Sequence, residues 1–164
     1  MINPHNPRRR RVLQAMVATG LSSAMAHQSS ADSPAMAARP IPANGEMLPV
    51  VGLGTYQSFD VGSGASERDP LKDVLRLFVQ QGGKLVDSSP MYGPSESVVG
   101  DLAAELDITG QLFMATKVWT SGREAGIRQM EESLRRMKVS RMDLMQIHNL
   151  LDWKTHLEDR KSVG

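Results

Sequence analysis

The chain has no cysteine among its 164 residues. That excludes disulfides, thiolate metal sites and cysteine nucleophiles, and it fits a reducing or an oxidising compartment equally well. No acidic residue precedes Asp32. The apolar stretch Val12 to Ala26 is 15 residues long, short of the roughly 20 that cross a bilayer, so no stable membrane span is expected. The pairs Gly52-x-Gly54 and Gly62-x-Gly64 lack the third glycine and the helix of a dinucleotide fingerprint and read as turns. His148 and His156 lack the carboxylate arrangement of a zinc site, and no metal is expected.

What is present is unevenly distributed. The 19 basic and 18 acidic residues nearly cancel, but Arg8, Arg9, Arg10 and Arg11 stand together. Cutting after Ala26 would remove those four and leave 15 basic against 18 acidic residues, a net charge of −3. A nucleic-acid-binding body is therefore not expected. The arginines, the mildly apolar run Val12 to Ala26 and the small-x-small triplet Ala24-Met25-Ala26 together resemble a bacterial twin-arginine signal. Arg9 and Arg10 fit the pair, although Gln14 stands where lysine is common. The resemblance implies passage through the twin-arginine export machinery and a periplasmic or exported location. A mitochondrial transit peptide and a disordered basic arm are the alternatives, the latter leaving the protein in the cytoplasm. Gln28 to Pro42 is rich in Ser, Ala and Pro and reads as a linker without stable structure. The expected organisation is a signal over 1–26, a linker over 27–45 and one domain over 46–164.

In that domain, short apolar runs alternate with amphipathic stretches. Strands are expected at Leu48 to Tyr56, Lys84 to Ser88, Leu112 to Val118 and Met142 to His148. A helix is expected after Asp69, with Pro70 as its first residue and Leu71, Val74, Leu75, Phe78 and Val79 on its apolar face, ending at Gly82-Gly83. A second starts at a Ser95 cap and buries Val98, Val99, Leu102, Ala103 and Leu106. A third buries Ile127, Met130, Leu134 and Met137 and turns Arg128, Glu131, Arg135 and Lys138 to water. Strands alternating with helices predict an α/β fold with parallel pairing, as a doubly wound sheet or as part of a (β/α)8 barrel.

Periodicity does not choose between those two, but the polar residues at the strand ends are informative. Asp87 closes the second strand, Tyr92 follows in the loop, Lys117 closes the third strand and His148 the fourth. Carboxyl ends of parallel strands point the same way, so these side chains can converge. The segment Asp87-Ser88-Ser89-Pro90-Met91-Tyr92-Gly93 resembles the D-x4-Y-G signature of aldo-keto reductases. Ala115-Thr116-Lys117-Val118-Trp119, Asp143-Leu144-Met145-Gln146-Ile147-His148 and Leu53-Gly54-Thr55-Tyr56 resemble three more, in the family's order. Singly each position has an ordinary structural explanation, such as a turn former or a loop aromatic.

The resemblance implies a (β/α)8 TIM barrel, NADPH as hydride donor and a small carbonyl compound as substrate. Tyr92 would be the general acid, Lys117 its neighbouring cation, Asp87 the anion that holds Lys117, and His148 the group that orients the substrate oxygen. Gly54, Thr55, Tyr56 and Asp87 would meet the cofactor. Tyr56, Trp119 and Asn149 would line the substrate pocket. Only the first four β/α units of a barrel of about 250 residues and eight strands are expected here. Leu157 to Gly164 resembles a truncated or frame-shifted end. A half barrel would retain the catalytic residues with little activity and would self-associate through its open strand edges. Two other readings stay open: a non-catalytic NADPH-binding barrel subunit, and an exported binding module.

Overall fold

The computed structural model describes residues 36–149. The signal, the first part of the linker, and the segment containing Trp153, His156 and Leu157 to Gly164 lie outside them. Strands β1 (Ala38–Pro40) and β2 (Met47–Pro49) pair antiparallel as a hairpin. Strands β3 (Leu53–Gly54), β4 (Leu85–Asp87), β5 (Phe113–Val118) and β6 (Leu144–Ile147) form a parallel sheet in that order. Helices α1 (Ala65–Gln80), α2 (Ser95–Glu105) and α3 (Arg123–Met137) connect them in turn.

All three helices share one core. Val86 and Met114 are register partners across β4 and β5, and both are buried with Leu75 of α1, Val98, Val99 and Leu102 of α2, and Met137 of α3. Side chains alternate along a strand, so Leu85 and Asp87 face away from that core. Sequential strand order with every helix on the same side is the winding of a barrel. A doubly wound sheet reverses strand order and carries helices on both faces.

Close approach of α2 and α3 depends on Gly100. A Cβ there would run into the Arg136 carbonyl and lie 2.8 Å from the Met137 Cα. Only a hydrogen fits between these backbones.

Three expectations need correction. The single strand expected at 48–56 is two strands, because its two ends pair with different neighbours: Met47–Pro49 joins the hairpin against Ala38–Pro40 and Leu53–Gly54 the parallel sheet against Val86 and Asp87. The stretch expected to be structureless up to Pro42 contains β1, whose Ala38, Arg39 and Pro40 pair with Pro49, Leu48 and Met47. Finally, α1 begins a turn before Pro70. The Gly64 carbonyl accepts the Glu67 and Arg68 N–H groups at 3.1 Å, and Arg68 Nε donates to the Gly62 carbonyl at 2.9 Å. These bonds set the helix start, and Pro70 lies inside it.

Helix α2 buries Val98, Val99, Leu102 and Ala103 as expected, with Leu106 half-buried just past its end, whereas in α3 Met137 is buried and Ile127, Met130 and Leu134 are only half-buried. Ser95 is no side-chain cap. Pro94 occupies the cap position, and the Ser95 hydroxyl is used elsewhere.

Candidate active site

The site lies at the carboxyl ends of the parallel strands. Asp87 is the last residue of β4, and Lys117 is the next-to-last of β5. Lys117 Nζ donates to Asp87 Oδ2 at 2.6 Å and to the Ser88 carbonyl at 2.7 Å. The ammonium is thereby held by one full and one partial negative charge, and its side chain is mostly buried. Such a pair contributes more to orientation than to net stability.

Tyr92 reaches the same point from the loop after β4. Lys117 Nζ lies 5.1 Å from the centroid of the Tyr92 ring. The His148 ring meets Tyr92 edge-on at 5.8 Å, and Tyr56 meets it at 4.9 Å. Gly93 follows with φ +57°, a conformation that glycine adopts without strain, and a side chain there would strike the Asp60 carboxylate. His148 continues the β5–β6 ladder through its N–H to the Val118 carbonyl at 2.9 Å. Its Nδ1 is buried with no hydrogen-bond partner among the described residues. A buried nitrogen without a partner is costly unless a ligand or water completes it.

The structure therefore brings Asp87, Tyr92, Lys117, His148 and Tyr56 together. Thr55 is buried beneath them, its hydroxyl engaged with Ser88 Oγ at 2.9 Å and the Asp87 carbonyl at 3.1 Å. It braces the ends of β3 and β4. Gly54 borders open space, since an added Cβ would meet nothing within 4 Å. Trp119 and Asn149 are exposed at the rim, each one residue beyond the last β5–β6 hydrogen bond. The Trp119 backbone is clamped by the Gln129 amide of α3 on both its N–H and its carbonyl. Asn149 has φ 54°, in the left-handed region where asparagine is common.

Several supporting residues were not anticipated. Ser88 supplies both a carbonyl to Lys117 and a hydroxyl to Thr55. Ser95 donates to the Tyr92 carbonyl at 2.6 Å. Glu96 is fully buried and accepts from Thr116 Oγ1 at 2.6 Å. A signal for Glu96 existed: it lies three residues before Val99, and so on the apolar stripe of α2.

Comparison with known proteins identifies the family. A profile of the Aldo/keto reductase family matches residues 50–159. The chain is similar to the methylglyoxal reductase YeaE of Escherichia coli, at 35% identity over 62% of this chain and 35% of that protein. It is also similar to the NADP-dependent D-sorbitol-6-phosphate dehydrogenase of Malus domestica, at 30% identity over 64% of this chain and 33% of that protein. It thus spans about a third of the length of the curated relatives it matches. Among solved structures, an aldo/keto reductase from Klebsiella pneumoniae in complex with NADP and acetate superimposes with a TM-score of 0.60 at 26% identity. That match covers 73% of this chain and 42% of the other. The order of the strands, the residues at their ends and the family match lead to one conclusion: the chain belongs to the aldo/keto reductase family.

Proposed function

We propose that this chain carries the proton-donating half of an NADPH-dependent reductase acting on aldehydes or ketones. The observation that supports it best is the Tyr92 ring between two groups: the Lys117 ammonium, pinned by Asp87, and the His148 ring. The nicotinamide end of the cofactor fits this end of the sheet. Gly54 leaves open space beside the strand, and Tyr56 offers an exposed aromatic face next to the half-buried Asp87. Gly54, Tyr56 and Asp87 would hold it, with Thr55 bracing the strand end from beneath. NADPH, when bound, supplies the hydride that adds to the carbonyl carbon.

The rest falls to this chain. The Tyr92 hydroxyl gives its proton to the carbonyl oxygen, completing the alcohol, and recovers one from solvent afterwards. A phenol is a weak donor near neutrality. The Lys117 ammonium stabilises the phenolate left behind, and Asp87 keeps that ammonium in place. The His148 ring steers the carbonyl oxygen toward Tyr92. Exposed Trp119 and Tyr56 form apolar walls suited to a small carbonyl compound. Residues 1–26 would direct export by the twin-arginine route, which passes proteins already folded.

The chain spans about a third of the length of its curated relatives, and turnover is expected of a closed barrel. The assay is therefore run on this chain fused to the carboxyl half of a family member. Tyr92→Phe is expected to lower NADPH-dependent aldehyde reduction by roughly 10²- to 10⁴-fold, the usual worth of a positioned proton donor. NADPH affinity, followed by fluorescence quenching, is expected to hold. Near-normal turnover in Tyr92→Phe would refute the assignment. A non-catalytic cofactor-binding subunit would show binding in both proteins and turnover in neither.

A further inference from the structure

Beneath the site lies a buried polar chain that the proposed reaction does not use directly. Tyr92 and Lys117 sit on separate segments, a loop and a strand, yet the residues beside them are joined. On the loop side, the Tyr92 carbonyl accepts from both the Ser95 N–H at 3.1 Å and the Ser95 hydroxyl at 2.6 Å. Ser95 and Glu96 are the first two residues of α2. On the strand side, Thr116, next to Lys117, donates to Glu96 Oε1 at 2.6 Å. The other carboxylate oxygen faces Arg136 of α3 at 3.4 Å, and Arg136 is held in turn by Glu132 at 2.9 Å. Ser95, Glu96 and Thr116 all have 0% exposure.

Burying a carboxylate is costly, and replacement of such paired charges by apolar residues is often neutral or stabilising. A stability role alone therefore explains Glu96 poorly. Its position explains it better. It is one residue from the bond that fixes the Tyr92 backbone and one hydrogen bond from the residue that precedes Lys117.

We propose that Glu96 is a positioning residue: through Ser95 on one side and Thr116 on the other, it couples the loop holding Tyr92 to the strand holding Lys117 and so fixes their separation. This rests on the reading of Tyr92 and Lys117 as a working pair. Neither Glu96 nor Thr116 touches a reacting atom. Thr116 faces the helices, and its neighbour Lys117, by strand alternation, faces the site. The small distance between α2 and α3 at Gly100 brings Arg136 within reach of the carboxylate.

The test uses fluorine NMR of the 164-residue chain labelled with 3-fluorotyrosine. There are two tyrosines, so Tyr56→Phe leaves the Tyr92 signal alone. Lys117→Met is expected to shift that signal, which establishes that it senses the ammonium. Thr116→Val, which removes the hydroxyl at near-constant volume, is expected to broaden or split it as the ring loses its single position. Thr116→Ser, which restores the hydroxyl, is expected to return it. Leu75→Val, a core loss on α1 of no concern to the coupling, is expected to leave it unmoved. Should Thr116→Val fail to fold, Glu96→Gln takes its place, weakening the tie to Arg136 at the same size, with broadening again expected.

An unchanged Tyr92 signal in Thr116→Val, or in Glu96→Gln if that stands in for it, would overturn the proposal while leaving the Tyr92–Lys117 pair intact. A signal as disturbed by Leu75→Val as by Thr116→Val would also overturn it, since any loss of packing would then suffice. A signal indifferent to Lys117→Met would remove the pair itself, and the coupling with it.

Discussion

The two faces of the same sheet are built on different terms. Toward the helices, Leu75, Val86, Val98, Val99 and Met137 are all at 0% exposure, and apolar side chains dominate the packing around the buried Glu96 network. At the strand ends, Tyr56 and Trp119 are 62% and 46% exposed, and order comes from hydrogen bonds to Asp87, Ser88 and Lys117. Stability should therefore reside on the helix side and chemistry at the strand ends. The contrast shows how four side chains from separate segments are held to a common geometry: the packed face fixes the strands, and the strands present their ends.

Substitutions can break that contrast. The largest effect on function is expected at Tyr92, where loss of one hydroxyl should remove turnover and leave the unfolding midpoint unchanged. The largest effect on stability is expected at Leu75. Truncation to alanine should cost about 2–5 kcal/mol in urea unfolding, since a fully buried leucine leaves a cavity. In the fused barrel, the protein that remains folded should keep its NADPH affinity. A Leu75→Ala protein of normal stability would show that the helix layer is not what holds the sheet.

The smallest effect is expected from pH. The Lys138 ammonium beside Asp101 holds its carboxyl below the ordinary value of 3.8; partial burial opposes this and Arg68 assists. Asp101 thereby ties α2 to Arg68 of α1 and to Lys138, each at 2.8 Å. On α3 the Arg135 guanidinium holds Glu132 down from 4.5 to about 2, with Arg136 adding to the effect against some loss of hydration. Both carboxyls are depressed by folding, so their contribution is present above the ordinary values and lost as pH falls toward about 2. Urea midpoints should decline through that range, and Asp101→Asn should make the decline shallower. An unaltered slope in Asp101→Asn would remove Asp101 from the helix-layer account.

Much of the fold and candidate site was legible because it follows local rules. The apolar spacing of Ile127, Met130, Leu134 and Met137 is enough for a helix, and Asp87, Tyr92, Lys117 and His148 stand at strand ends in a recognisable order. The parts not legible depend on partners distant in sequence. Leu48 to Tyr56 has the composition of one strand, but which neighbours its residues pair with is decided by Arg39 and Val86. The ring of Pro70 suits a helix start; the earlier start comes from Glu67 and Arg68 folding back on Gly62. Glu96 is a charge on an apolar stripe, and its burial requires Thr116 and Arg136, distant in sequence.

The central claim is that a carbonyl oxygen meets the Tyr92 hydroxyl at this end of the sheet. A structure of the fused barrel with NADPH and an unreactive carbonyl ligand tests it directly. The oxygen is expected about 2.5–3.0 Å from Tyr92 Oη, with the His148 ring as its second contact. A carbonyl oxygen held by other groups, with Tyr92 turned away from it, would contradict the account.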